Sequence, residues 1–128
     1  MGTKVNTKSL AYLGDAVFEL LVREMLLSKG DRPVDVLNVH ARRYVSAAAQ
    51  AAMYKKINPS LTVDEQSAMK RGRNLHSYSK AKNANTSDYR HSTGLETLFG
   101  YLYTNNQHER MAEVFDMCLK GIEDDCKS

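Results

Sequence analysis

The sequence predicts an all-α protein. Apolar residues recur at steps of three and four in several segments, and no stretch shows the alternation of a half-buried strand. Helix caps and stops fall between the periodic segments, and only two prolines and seven glycines interrupt 128 residues. Such a chain is neither collagen-like nor dominated by loops.

Taken in order, Leu10, Leu13, Val17, Leu20, Leu21 and Met25 form one stripe, which predicts an amphipathic helix over residues 8–28 with Gly30 as its stop. Asp31-Arg32-Pro33 opens the next segment, where Val34, Leu37 and Val39 lead to a β-branched, aromatic patch at Tyr44-Val45. Ser46 caps a helix that runs through Ala47–Ala52 to about Ile57, and Asn58-Pro59 ends it. Thr62-Val63-Asp64-Glu65 reads as a capping box, and its helix ends near Arg73. Leu95, Leu98, Phe99 and Leu102 define a helix from Asp88 to Tyr103. Asn105-Asn106 makes a turn, and Gln107 to about Glu123 forms the last helix.

With 42% hydrophobic and 26% charged residues, residues 1–128 are expected to form one globular domain. At this size about two-thirds of the unfolded chain's surface can be buried, so a core needs no staples. No apolar run approaches the ~20 residues of a membrane span, and the start, MGTKVNTKSL, lacks the apolar region of a secretory signal. Cys118 and Cys126 are too few for a disulfide framework and have no histidines at zinc spacing. A cytoplasmic setting and no membrane partner are therefore expected.

The net charge of +3 is unevenly placed. Lys70, Arg71, Arg73, Lys80, Lys82 and Arg90 face only Asp88 within their segment, with Asn74, Asn83, Asn85, His76, Tyr78 and Tyr89 interleaved. Cations mixed with amides and hydroxyls suit phosphate contacts, and a solvated loop would look the same on charge alone. Residues 107–128 are acidic in balance.

Two carboxylates break the helical pattern. Asp15 follows Gly14 between Leu13 and Val17, and Glu96 lies between Gly94 and Gly100. A glycine inside a helix costs about 0.5–1 kcal/mol relative to alanine, but it lets another backbone approach closely. Two helices of this kind can bring Asp15 and Glu96 together, where facing carboxylates call for a cation or a proton. Hard oxygen ligands favour Mg²⁺ or Mn²⁺. The bland alternative is that each acid pairs with a base or points to solvent.

Leu13-Gly14-Asp15-Ala16-Val17 resembles the core of the ribonuclease III signature, and Leu95–Tyr103 resembles that family's second catalytic segment. Lys70-Arg71-Gly72-Arg73-Asn74 and Asp88–Gly94 are similar to the Mini-ribonuclease III branch, whose enzymes consist of the endonuclease domain alone. Larger ribonuclease III enzymes carry further acids four residues before the aspartate and three before the glutamate. Ala11 and Thr93 stand there in this chain, so only Asp15 and Glu96 carry over as catalytic and metal-holding residues. The resemblance implies an all-α endonuclease domain that dimerises, and Mg²⁺-dependent cleavage of double-stranded RNA leaving 5′-phosphate and 3′-hydroxyl ends. Its implied substrate is the large-subunit (23S) ribosomal RNA precursor, in a setting of ribosome assembly with ribosomal proteins at hand. Lys70, Arg71, Arg73, Asn74, Lys80, Lys82 and Arg90 would bind the RNA. The rival is a non-catalytic helical module that binds structured RNA and gives Asp15 and Glu96 no role.

Glu19 shares a helix face with Asp15 and can join the site, yet it also stands four residues before Arg23, a favourable pairing distance. His91 reads as a phosphate contact or, better, as a packed histidine, and His40 with Arg42 and Arg43 as an exposed helix face. Tyr101 and Tyr103 are expected in the core or a dimer interface, part of which is placed near Leu95–Tyr103, and Met53 and Met69 fill core gaps.

Overall fold

A computed structural model describes residues 5–76 and 86–127. Six α-helices make the fold: α1 (Thr7–Ser28), α2 (Val34–Val45), α3 (Ala47–Ile57), α4 (Val63–Arg73), α5 (Thr86–Thr104) and α6 (His108–Lys127). Short 3₁₀ turns, Asn58–Ser60 and Asn74–His76, follow α3 and α4. No strand occurs among the described residues.

α1, α3 and α4 start where a side chain satisfies a free amide. The Asn6 side chain accepts from the Ser9 amide at 2.9 Å, and Ser46 accepts from Ala49 at 3.2 Å. The capping box forms as expected, with Thr62 accepting from the Glu65 amide and Glu65 accepting from the Thr62 amide. Glu65 is only 3% exposed, and it also binds Arg110 of α6 through two bonds of 2.8 and 2.9 Å. The Arg110 guanidinium holds the Glu65 carboxyl below the usual carboxylate range, so one side chain both starts α4 and docks α6. Asn106 makes the α5–α6 turn with a φ of 58°.

α5 is the central helix. Leu95, Leu98, Phe99 and Leu102 are buried inside the chain, which spends them on the core and leaves only Tyr103 of that segment well exposed. Those four side chains are therefore core residues, and Tyr103 is the exposed one of the segment in which part of a dimer interface was expected. Phe18 meets Phe99 and Phe115 edge to face at 5.3 and 5.8 Å, tying α1, α5 and α6 together. Burying each such ring contributes roughly 1.5–3 kcal/mol. Met53 and Met69 are fully buried, as expected.

Two expectations shift. The buried stripe of α1 is Leu10, Gly14, Val17, Phe18, Val22 and Leu26, while Leu20 is 56% exposed. Gly14 brings a neighbouring backbone to that face and rotates the buried side toward Phe18. The segment read only as leading to a patch at Tyr44-Val45 is helical throughout. Leu37, Ala41 and Tyr44, spaced at four and three, supply its inner face, and most of its other residues are exposed.

Candidate active site

The site is set by how closely α1 and α5 cross. A Cβ on Gly14 would run into the Glu96 carbonyl, and one on Gly100 would run into the Leu10 carbonyl. The helices thus touch backbone to backbone at two points. Asp15, the residue after Gly14, is thereby held against Glu96.

The two carboxyl groups are within hydrogen-bonding reach of each other, and the Gln50 amide of α3 donates to Glu96. Burial, then the Asp15 charge, pushes the Glu96 carboxyl up to about 8, with Glu19 adding to the negative field. Near neutral pH Glu96 therefore keeps a proton that it donates to Asp15. A divalent cation meets the same need with more charge, and two hard oxygen donors fit Mg²⁺ or Mn²⁺. Among the described residues no group of three or more His, Cys, Asp or Glu side chains could hold a metal. Waters and substrate phosphates would complete a shell begun by Asp15 and Glu96.

Both acids line a cleft of about 350 Å³ together with Lys8, Ala11, Leu75 and Thr93. Ala11 and Thr93, where larger ribonuclease III enzymes carry acids, are walls of this same cleft. The Thr93 hydroxyl is turned back to donate to the Tyr89 carbonyl at 3.1 Å. The cleft keeps two acids where the larger enzymes have four, and Lys8 adds a cation that sequence reasoning missed. Gln50 was missed too. It is 3% exposed, and its signal is a lone amide inside the apolar run Ala47–Met53.

Among the described residues, Lys70, Arg71, Arg73 and Arg90 do not line this cleft. Lys70 and Arg71 are exposed on the last turn of α4, and Arg71 accepts no burial beyond a 2.9 Å bond to Ser67. Arg71 also borders a second depression, beside Val5, Asn6 and Thr7 at the start of α1. Arg73 is half-buried, donating to the Tyr54 phenol and lying 3.4 Å from Asn74, the residue that ends α4. Arg90 is half-buried on α5. Lys80 and Lys82 lie outside the described residues, as do Tyr78, Asn83 and Asn85. His91 is packed, its ring 4.7 Å from Tyr54 and its Nδ1 2.6 Å from the Ser87 carbonyl. Glu19 pairs with Arg23 at 3.8 Å while its charge still reaches Glu96.

Replacing Glu96 with Gln should stabilise the metal-free protein increasingly as pH rises. The folded chain keeps a proton on Glu96 up to about pH 8, whereas a carboxyl in the unfolded chain releases it near 4.5. Wild-type stability is therefore lost across that window, and the amide escapes the loss. The advantage should approach 2–4 kcal/mol, as an order of magnitude, near pH 8. Urea melts in chelator from pH 5 to 8.5 check this, and a gap that stays constant with pH would refute it.

The fold and the paired acids define a ribonuclease III-type domain, and the chain belongs to the ribonuclease III family, whose domain matches residues 8–107. It is 47% identical over 115 residues to the Mini-ribonuclease 3 of Symbiobacterium thermophilum, covering 90% of this chain and 88% of that one. It is 41% identical over 121 residues to the Mini-ribonuclease 3 of Enterococcus faecalis, covering 93% and 92%. A crystal structure of a Fusobacterium nucleatum protein superposes with a TM-score of 0.80 at 28% identity, over 92% of this chain and 94% of that one. These relatives support an endoribonuclease of the ribonuclease III type. No helix among the described residues is long and apolar enough to cross a membrane.

Proposed function

We propose that residues 1–128 form one endonuclease domain that cleaves double-stranded RNA with Mg²⁺, or Mn²⁺ in its place, leaving 5′-phosphate and 3′-hydroxyl ends. The observation that carries this reading is the Asp15–Glu96 carboxyl pair, pressed together in a cleft by the glycine crossing of α1 and α5. Asp15 and Glu96 hold the metal. A metal held by Asp15 and Glu96 would supply a water of lowered pKa and charge neutralisation at the phosphodiester. Gln50 fixes the orientation of the Glu96 carboxyl, and Lys8 draws a phosphate into a cleft that is otherwise acidic. Duplex RNA presents a shallow minor groove with 2′-hydroxyls, so recognition rests mostly on shape and backbone. Lys70, Arg71, Arg73, Asn74, Lys80, Lys82 and Arg90 are the proposed RNA contacts.

Two copies place one site on each strand, so the working form is a homodimer that makes a staggered cut. With the α5 leucines spent inside the chain, Tyr12 and Leu20 on α1, 86% and 56% exposed, are among the apolar side chains open to a second copy. Sedimentation at micromolar concentration should show twice the 14.4 kDa chain mass. A monomer that still cuts both strands together would refute the dimer. The proposed substrate is the large-subunit ribosomal RNA precursor, matured at its paired ends in the cytoplasm during ribosome assembly. Likeness to the Mini-ribonuclease 3 relatives supports this assignment.

The deciding experiment incubates the purified chain with a labelled duplex and with precursor ribosomal RNA ends, in Mg²⁺ and in chelator. Metal-dependent fragments with 5′-phosphates are expected. A chain that binds the duplex and leaves it whole in Mg²⁺ would instead be a binding module. In binding titrations at several salt concentrations, with Ca²⁺ to suppress cutting, Arg71→Ala should flatten the log–log salt slope by about one unit. An unchanged slope would remove Arg71 from the RNA surface.

A further inference from the structure

We propose that Tyr54 is a positioning residue for RNA binding, whose buried phenol holds the Arg73 guanidinium in one orientation as a preset fork for a backbone phosphate. The inference rests on the ribonuclease reading for its ligand, and on the packing of α3, α4 and α5 for the arrangement itself.

Tyr54 lies on α3 and is 6% exposed. Two residues of α5 confine its ring. The His91 ring stands edge-on to it, with centroids 4.7 Å apart, and His91 is itself tied through Nδ1 to the Ser87 carbonyl at 2.6 Å. Gly94, three residues further on, packs its backbone on the same ring, since a Cβ there would stand 2.7 Å from Tyr54 Cε2. A ring so enclosed keeps its oxygen in one place. Arg73, the last residue of α4, donates to that oxygen, and its Nε also lies 3.4 Å from the Asn74 side-chain oxygen. α4 comes this close because Gly72 has no side chain, and a Cβ there would run into Thr97 of α5. The guanidinium is thus tied through Tyr54 to Gly94, two residues before Glu96.

A phenylalanine would fill the same space, and a buried hydroxyl costs stability unless it is bonded. The bond this hydroxyl makes is to Arg73. Burial raises the phenol above its usual range, so the oxygen that meets Arg73 is neutral and does not cancel the guanidinium charge. A guanidinium carries five N–H donors in a rigid fork, more than one phenol and one amide oxygen take up, and the fork matches a phosphate. A flexible arginine gives up rotamer freedom when it binds, and one already held gives up less. Arg73 is half-buried beside the exposed Lys70, Arg71 and Asn74, so it combines access with order.

Tyr54→Phe keeps the ring against His91 and Gly94 and removes only the bond to Arg73, so a thermal melt should show a folded protein. Duplex binding titrated in Ca²⁺ should weaken roughly three- to tenfold, the cost of ordering one long side chain. The log–log salt slope should stay at the wild-type value, because Arg73 keeps its charge, whereas Arg73→Ala should flatten it by about one unit. In Mg²⁺ the effect should fall on the duplex concentration needed for half-maximal cleavage and spare the rate at saturation. The double variant decides between roles. Tyr54→Phe added to Arg73→Ala should cost no further affinity, since the phenol acts through the guanidinium. An equal loss in both backgrounds would reduce Tyr54 to a structural role and overturn the inference, as would wild-type affinity in Tyr54→Phe or in Arg73→Ala. Arg73→Lys tests the same point without touching the core. It keeps the charge and loses the fork, so it should hold the slope and bind more weakly, and wild-type affinity there would also overturn the inference. Because these readouts are of binding, their failure is distinct from a failure of cleavage by wild type in Mg²⁺.

Discussion

Asp15→Asn should leave the protein folded and able to bind a duplex while lowering cleavage by roughly a thousandfold, about 4 kcal/mol of transition-state stabilisation. Asparagine keeps the shape of the side chain and removes the charge that attracts a divalent cation. Asp15 is exposed, so no buried partner charge is stranded by the change, and Glu96 loses a neighbour that repels its ionised form. The backbone contact between Gly14 and Glu96 is untouched. Stability without metal should therefore hold or rise slightly. Single-turnover cleavage of a labelled duplex at saturating enzyme measures the loss, with a thermal melt and Ca²⁺-supported binding as controls. Cutting at a near wild-type rate in Mg²⁺ would remove Asp15 from the catalytic machinery. Glu96→Gln should show a comparable loss. A much milder one would shift the second ligand to Glu19, which is free to turn because its pairing with Arg23 is long and solvent-exposed, at 3.8 Å.

The helices and the two acids could be read from the sequence because both are local signals. Apolar spacing marked α1 and α5, caps and turns marked α3, α4 and α6, and the Thr62–Glu65 box and Asn105-Asn106 turn formed where expected. The glycines beside Asp15 and Glu96 marked the close approach, but only the three-dimensional crossing shows which backbones meet. What stayed hidden depends on contacts distant along the chain. Gln50 reaches Glu96 from 46 positions away, and Arg110 reaches Glu65 from 45. α2 was hidden for another reason, since the exposed valines Val34 and Val39 lie off its buried strip of Leu37, Ala41 and Tyr44 and blur the pattern. Leu20 misled the stripe of α1 because six apolar residues span more of the helix than the chain buries. An apolar helix in the middle of a fold and one at a dimer contact read alike, and in this chain Leu95, Leu98, Phe99 and Leu102 belong to the core.

Gly14→Ala should destabilise the protein by about 3–5 kcal/mol, a large share of the roughly 5–15 kcal/mol that holds a domain folded. In an isolated helix the same change would stabilise by about 1 kcal/mol, because alanine loses less backbone freedom. The sign reverses here because the added methyl would overlap the Glu96 carbonyl and press on the Gly100 amide, both backbone groups that cannot swing aside. α1 and α5 must then separate, opening the Phe18–Phe99 contact and the gap between Asp15 and Glu96. Urea denaturation should show a much lower midpoint, and whatever protein stays folded should cleave poorly, because Asp15 and Glu96, the proposed metal holders, have moved apart. Gly121→Ala is the matched control. Its Cβ would meet only the flexible Lys56 side chain, at 3.0 Å, so the tenths of an ångström it needs are easily yielded. That variant should remain within about 1 kcal/mol of wild type. If Gly14→Ala melts with Gly121→Ala, the two helices do not touch at this point, and the crossing no longer accounts for the meeting of Asp15 with Glu96.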